Sequence, residues 1–171
     1  MVMVTTRPLL ESDLEFLNKV RNENALEFLH DSRTFTLTDT REWFDKTKPD
    51  YYLILVEDTP AGYFRISNHS TANKNLYVGA DLAKEYQGKG IGFQAYDYFL
   101  PYLFKEYSLN KITLEVLGSN SRAINLYYKL GFVKEGVKRQ EVLKGTEYVD
   151  SIIMSVLKSE YDGNILENKQ Q

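Results

Sequence analysis

QGKGIG, from Gln87 to Gly92, sets a glycine at every second position between a strand-like run, LYVGADL (Leu76 to Leu82), and a long helical pattern. A strand that hands over to a helix through bare backbone leaves the first helical N–H groups without partners and without side chains to cover them. A phosphate loop of the nucleoside-triphosphatase kind ends in Gly-Lys followed by Ser or Thr, whereas Gly88-Lys89 is followed by Gly90. A dinucleotide fingerprint needs glycines at i, i+2 and i+5; Gly88 and Gly90 fit, but Phe93 stands third. What is left is Gln-x-x-Gly-x-Gly, matched by Gln87, Gly90 and Gly92, in which the amides converge on an anion such as a pyrophosphate. The competing reading is a glycine-rich β-to-α turn with no ligand, and a second element has to separate the two.

Working outward, Ile91, Ala95, Tyr98, Phe99, Tyr102 and Leu103 recur at helical spacing, with Pro101 predicting a kink or an early end. Upstream, YYLILVE (Tyr51 to Glu57), a turn at DTPAG and YFRIS (Tyr63 to Ser67) read as a hairpin, followed by a polar loop from His69 to Asn75. Val2 to Thr5 reads as a strand. Ser12 and Glu15 form a capping box for a helix reaching Arg21, with Leu14, Leu17 and Val20 inside. Asn22 to Phe35 is poorly periodic. A short helix then begins near Thr38, carries Trp43 and Phe44 and stops at Pro49; this region is expected to line a substrate cleft.

Downstream, KITLEVL alternates, with Ile112, Leu114 and Val116 on one face and Thr113, Glu115 and Leu117 on the other. Ala123, Leu126, Tyr127 and Leu130 mark a short helix capped by Asn120 or Ser121, with Gly131 in the left-handed position past its end. Glu141 to Leu157 reads as two strands around Lys144, Gly145 and Thr146, and residues 161–171 as a polar, frayed tail. The order gives an α/β (α+β) fold with a mixed sheet in one domain over residues 1–160.

A net charge of −3 over 171 residues lacks the basic excess that nucleic-acid binding requires. No run of eighteen apolar residues and no signal-like start occur, so no membrane is expected and a cytoplasmic location is. With no cysteine, disulfides, thiolate metal sites and a cysteine acyl-enzyme are excluded. His30 and His69 stand alone in polar surroundings and receive no role; no metal is expected.

The second element is LEVLGSNSRAINLYYKLGF, Leu114 to Phe132. Strand, QGKGIG, helix, strand and then Asn-x-x-Ala-x-x-x-Tyr-x-x-x-Gly-Phe make the chain resemble the Gcn5-related N-acetyltransferase superfamily over about residues 4–157. TRPLLESDLEFL, REWF and EYVDSIIMSVLKSEY look like the branch with ribosomal-protein N-terminal, spermidine and amino-sugar acetyltransferases, although members often carry Trp-Gly where this chain has Gln87-Gly88. The resemblance implies a mostly antiparallel sheet, splayed at the cofactor site and flanked by helices on both faces.

It also implies acetyl-CoA as co-substrate. The backbone near Leu82 would pair with the pantetheine arm and polarise the acetyl carbonyl. The amides of Gln87, Gly88, Lys89, Gly90, Ile91 and Gly92 would hold the pyrophosphate, with Lys89 adding charge. Asn120 would lie against pantetheine, and Tyr127 would protonate the departing thiolate. Glu115 would accept the amine proton through water, with Glu23, in the substrate loop, a rival. Without cysteine, direct attack by a primary amine in a ternary complex is expected. The acceptor is a small-molecule or peptide amine. A nucleotide-linked amino sugar is placed first, from the stretch Arg21 to Phe44, and a protein N-terminus or a polyamine is the alternative. From another class, a catalytically silent acyl-CoA sensor also fits, and both a monomer and a homodimer are compatible.

Overall fold

A computed structural model describes residues 2–162. Seven strands form one sheet in the order β1-β2-β3-β4-β5-β7-β6, and every pair is antiparallel except β4 with β5. The strands are β1 (Val4–Pro8), β2 (Tyr51–Val56), β3 (Thr59–Ser70), β4 (Asn75–Leu82), β5 (Lys111–Leu117), β6 (Val133–Lys144) and β7 (Glu147–Leu157). The helices include α1 (Leu14–Asn24), α2 (Leu37–Thr47), α3 (Ile91–Glu106) and α4 (Ser121–Lys129), and residues 158–162 are also helical. Single turns of 3-10 helix precede α1 and α3, at Glu11–Asp13 and Lys84–Tyr86.

Strand alternation sorts the core into two layers. Leu53 and Tyr63 point to one face, where Leu14, Leu17 and Val20 of α1 and Trp43 and Phe44 of α2 cover them. Ile54, Phe64 and Ile66 point to the other, against Ala95, Phe99 and Leu103 of α3 and Tyr127 of α4. The expected fold class, with helices on both faces, is therefore the observed one. β5 departs from a two-faced reading: Thr113 and Leu117 are buried as fully as Ile112, Leu114 and Val116, because β5 lies inside the sheet.

Several boundaries differ from expectation for physical reasons. The first strand runs to Pro8, and Ser12 caps nothing: Asp13 reaches back to the N–H of Leu10 at 2.8 Å and takes Arg7 on both oxygens, at 2.7 and 2.9 Å. α1 continues to Asn24, which moves Glu23 out of the substrate loop and onto the helix. The β2–β3 turn falls at Glu57 and Asp58, both at positive φ, instead of at DTPAG. β3 extends through Ser70, so His69 belongs to a strand. α3 continues past Pro101 to Glu106, because Leu103 and Phe104 beyond it are buried and hold the last turn on the sheet. β6 starts at Val133, eight residues before the expected hairpin; it is an edge strand whose exposed Lys and Glu conceal the alternation. Tyr161, expected in the frayed tail, is buried and stacks on Phe104 at 5.2 Å; the rest of that tail lies outside the described residues. Among the described residues no helix is long and apolar enough to cross a membrane.

The Arg7–Asp13 pair ties β1 to the start of α1. The Arg7 hydrogen bonds, helped by the Leu10 amide and opposed by burial, hold the Asp13 carboxyl below its ordinary pKa. A depressed carboxylate stabilises the fold above its unfolded pKa of about 3.9, and that contribution is lost as pH falls through the folded value. Asp13→Asn is expected to lower stability by about 1 kcal/mol at pH 7 after allowing for the solvent exposure of Arg7. Urea unfolding at pH 7 and at successively lower pH checks this: the difference between wild type and variant should shrink as Asp13 becomes protonated in the folded state.

Candidate active site

Strands β4 and β5 pair for three residues only, Asn75 with Lys111, Leu76 with Ile112 and Tyr77 with Thr113. Beyond Tyr77 they part, and the edge of β4 from Val78 to Leu82 faces a gap with no strand beside it. Such an edge can hydrogen-bond an extended, amide-bearing chain as it would a further strand.

Past β4 the chain makes its 3-10 turn and enters the glycines. The Gln87 side chain donates to Asn24 Oδ1 at 2.8 Å and to the Leu82 carbonyl at 2.9 Å, and Asn24 Nδ2 donates to the same carbonyl at 3.0 Å. This half-buried bracket fixes where the glycine turn leaves the sheet. It also occupies the Leu82 carbonyl, so the main-chain groups upstream of it are the ones left for pairing. Asn24 was missed by the sequence reading, because its partners lie 58 and 63 residues away.

Gly88 and Gly90 both adopt left-handed φ, +71° and +78°. Main chain of alternating hand turns successive N–H groups toward one concave side. Gly90 caps α3 without a side chain, and the first helical bond is Gln94 N–H to the Gly90 carbonyl at 3.2 Å, so the amides of Ile91, Gly92 and Phe93 have no carbonyl within the helix. A Cβ on Gly90 would meet nothing within 4 Å, and one on Gly88 only Arg122, at 3.5 Å. The space beside Gly88 and Gly90 is therefore open, and Arg122 of α4 and exposed Lys89 bring positive charge to this turn. Bare amides, a helix N-terminus and two cations fit a pyrophosphate. Arg122 falls at an unmarked place in the α4 motif, and no local signal would have found it.

On α4, Asn120 Oδ1 caps the helix by accepting from the Ala123 N–H at 3.2 Å, and Gly131 takes the left-handed position beyond its end. Tyr127 is buried among Tyr96 and Phe132, with ring centroids 5.5 and 5.8 Å away. Burial pushes its phenol above the ordinary pKa, so it keeps its proton at neutral pH.

On the opposite face of the sheet a cavity of about 710 Å³ opens between α1, α2 and β3. Trp43, Tyr51 and Tyr63 form an aromatic wall with successive centroids 5.2 and 5.8 Å apart. Such rings attract an ammonium group. His30 lines this cavity, a correction to the reading that left it isolated: its Nε2 lies 2.7 Å from Ser151 Oγ, and Ser151 donates to Glu115 Oε2 at 3.1 Å. Because the serine proton goes to Glu115, its oxygen accepts from His30 Nε2–H, which leaves the Nδ1 lone pair free. Glu115 Oε1 takes Lys138 Nζ at 2.8 Å, so both of its oxygens are engaged. Glu23 pairs with Lys19 and is not among the residues that line the cavity. His69 remains exposed, edge-on to Tyr107 at 5.1 Å.

The α1–α2 loop that carries His30 is pinned from far along the chain. Lys144, at the end of β6, donates to the carbonyls of Ala25 and Leu29 and to Ser32 Oγ. The β6–β7 hairpin thus anchors the loop that lines the cavity.

A sheet parted beside a glycine cradle, with an aromatic cavity on its other face, has the build of an acyl-CoA-dependent N-acyltransferase. Residues 17–132 match the acetyltransferase (GNAT) family, and the chain belongs to it. It is an enzyme that transfers acetyl from acetyl-CoA to nitrogen. It is 24% identical to spermidine N(1)-acetyltransferase of Escherichia coli K12 over 92% of this chain and 88% of the relative. It is 23% identical to the ribosomal protein uS5-alanine N-acetyltransferase of the same organism over 66% of this chain and 60% of the relative. The crystal structure of spermidine N-acetyltransferase from Vibrio cholerae with CoA and spermine superposes with a TM-score of 0.87 at 25% identity, covering 92% of this chain and 97% of that one. The acceptors named for these relatives are spermidine and a protein alanine; the amino sugar placed first by the sequence reading has no counterpart among them.

Gly90→Ala puts a side chain on a left-handed residue in the mouth of the cradle. Calorimetry should find CoA binding weakened at least tenfold, with circular dichroism unchanged; undiminished affinity would remove the cradle from the binding site.

Proposed function

We propose that the protein acetylates a primary amine of a small molecule held in the cavity, with the coenzyme on the other side of the parted strands. One observation carries the reading: the cavity reaches the free edge of β4 where its Arg65 lies against Gly79, and the glycine cradle follows the end of that same edge, so two ligands could meet there from opposite faces. Spermidine and related polyamines are the acceptors that the relatives support, and the aromatic wall suits an ammonium group.

An amine with a pKa near about 10 must lose a proton before it can attack. Bound acetyl-CoA supplies a thioester carbonyl; the amine nitrogen bonds to its carbon as the C–S bond breaks. His30 takes the amine proton on Nδ1, with Ser151 and the Glu115 carboxylate behind Nε2 steadying the imidazolium that results. Tyr127 gives its phenolic proton to the leaving sulfur. Main-chain N–H groups on the free edge of β4 polarise the acetyl oxygen. The Glu115 carboxylate, spoken for by Lys138 and Ser151, orients the base and does not touch the amine.

Thiol release over a panel of spermidine, an amino sugar, an N-terminal peptide and simple amines tests the assignment. Tyr127→Phe should lower kcat about 100-fold with CoA affinity nearly unchanged. Tight CoA binding with no amine-dependent thiol release would leave the silent sensor as the better reading. Burial sets the His30 pKa below 6.5 against the pull of Glu115. The wild-type kcat should therefore fall on an acid limb below pH 6.5, and His30→Gln should abolish that limb; an unchanged profile would remove His30 as base.

A further inference from the structure

Arg65 on β3 lines the cavity, and its surroundings are unlike those of the other charged groups there. Its one charged partner is Asp81 on β4, with Nε and Oδ2 3.4 Å apart, and neither of those two buried atoms has a hydrogen-bond partner among the described residues. The two halves of the pair are presented unequally. The Arg65 side chain is 37% exposed and the Asp81 side chain 5%, so the cavity meets the guanidinium while the carboxylate lies behind it. The terminal nitrogens of Arg65 enter no hydrogen bond among the described residues.

The fold leaves room for this placement. The guanidinium crosses Gly79 of β4, where a Cβ would come within 2.7 Å of Nη2 and 3.0 Å of Cζ. Gly79 lies two residues past the last paired position of β4, at the mouth of the gap where acetyl transfer is proposed. The other arginines on the cavity wall are already engaged: Arg33 holds Asp31 at 2.7 Å, and Arg21 donates to the Arg33 carbonyl at 2.6 Å while lying over Phe35 at 4.3 Å.

We propose that Arg65 is a carboxylate receptor in the acceptor site, so that the enzyme selects amines carrying a carboxylate, of the amino-acid kind, over polyamines. A planar guanidinium whose terminal N–H donors are unpaired among the described residues matches the two oxygens of a carboxylate. A polyamine brings only positive charge to the same place and meets Arg65 as a like charge. A single guanidinium with an acid behind it suits one negative charge better than the two of a phosphate. The inference rests on the reading of the cavity as the acceptor site and departs from the polyamine acceptors named for the relatives.

Matched amines that differ only by a carboxylate test it without any variant: phenethylamine against phenylalanine and cadaverine against lysine, with spermidine alongside. Binding to the CoA-loaded protein is measured by calorimetry, and acetylation by thiol release. The carboxylate-bearing member should bind at least tenfold more tightly, the scale of a charge-assisted hydrogen-bonded pair. Arg65→Gln should bring that ratio close to one while CoA affinity stays within threefold. Should Asp81, left unpaired, prevent that variant from folding, Gly79→Ala displaces the guanidinium by moving only the tip of a flexible side chain and should collapse the same ratio. Equal or tighter wild-type binding of the carboxylate-free amines or of spermidine would overturn the proposal. Carboxylate-dependent binding with no acetylation of any amine would uphold the receptor and overturn the transferase reading of the cavity.

Discussion

The rest of the molecule depends on the parting of β4 from β5 after Tyr77. A sheet interior ordinarily satisfies every main-chain group through its neighbours. Here the pairing stops after three residues, and five residues of β4 are left with one edge free. The pairing of β5 with β7 and of β4 with β3 holds the two arms apart, and beside the gap β4 is paired with β3 from Tyr77 to Leu82. The glycine turn and the start of α3 stand at the end of that gap because Asn24 and Gln87 bind the Leu82 carbonyl and fix the exit of the chain.

In the proposed reading two kinds of recognition meet at one opening. The α3 side offers main chain, bare at Gly88 and Gly90, with Lys89 and Arg122 as flanking charge. The α1–α2 side offers side chains: aromatic rings, His30 and Arg65. Family membership accounts for the first, since acetyl-CoA is common to the class. The second is where this chain sets its own selectivity, and the charges on that wall bear on the acceptor as directly as the names of relatives at 24–27% identity do.

The sequence shows the first half of the site far better than the second, for a physical reason. Positive φ at Gly88 and Gly90 and the cap at Asn120 are demands of the local backbone, and each leaves a residue type at a fixed spacing. The helix faces around Leu14 and Tyr127 were likewise legible, because burial on one side of a helix repeats along the chain. His30 and Ser151 stand 121 residues apart, and Lys144 reaches Ala25 across 119; no periodicity records such meetings. Arg65 reads as one more polar position in a half-buried strand until Gly79 is seen beneath it. Asp13 capping in place of Ser12, and α3 continuing through Pro101, show tertiary contacts overriding good local signals.

Hydrogen–deuterium exchange with and without CoA reads the central claim at the residues that make it. Amides of Gly88 to Phe93 and of the β4 edge from Val78 to Leu82 should slow together when the coenzyme is added, with β6 and β7 unchanged. Exchange at both segments indifferent to saturating CoA, in protein folded by every other criterion, would contradict the account.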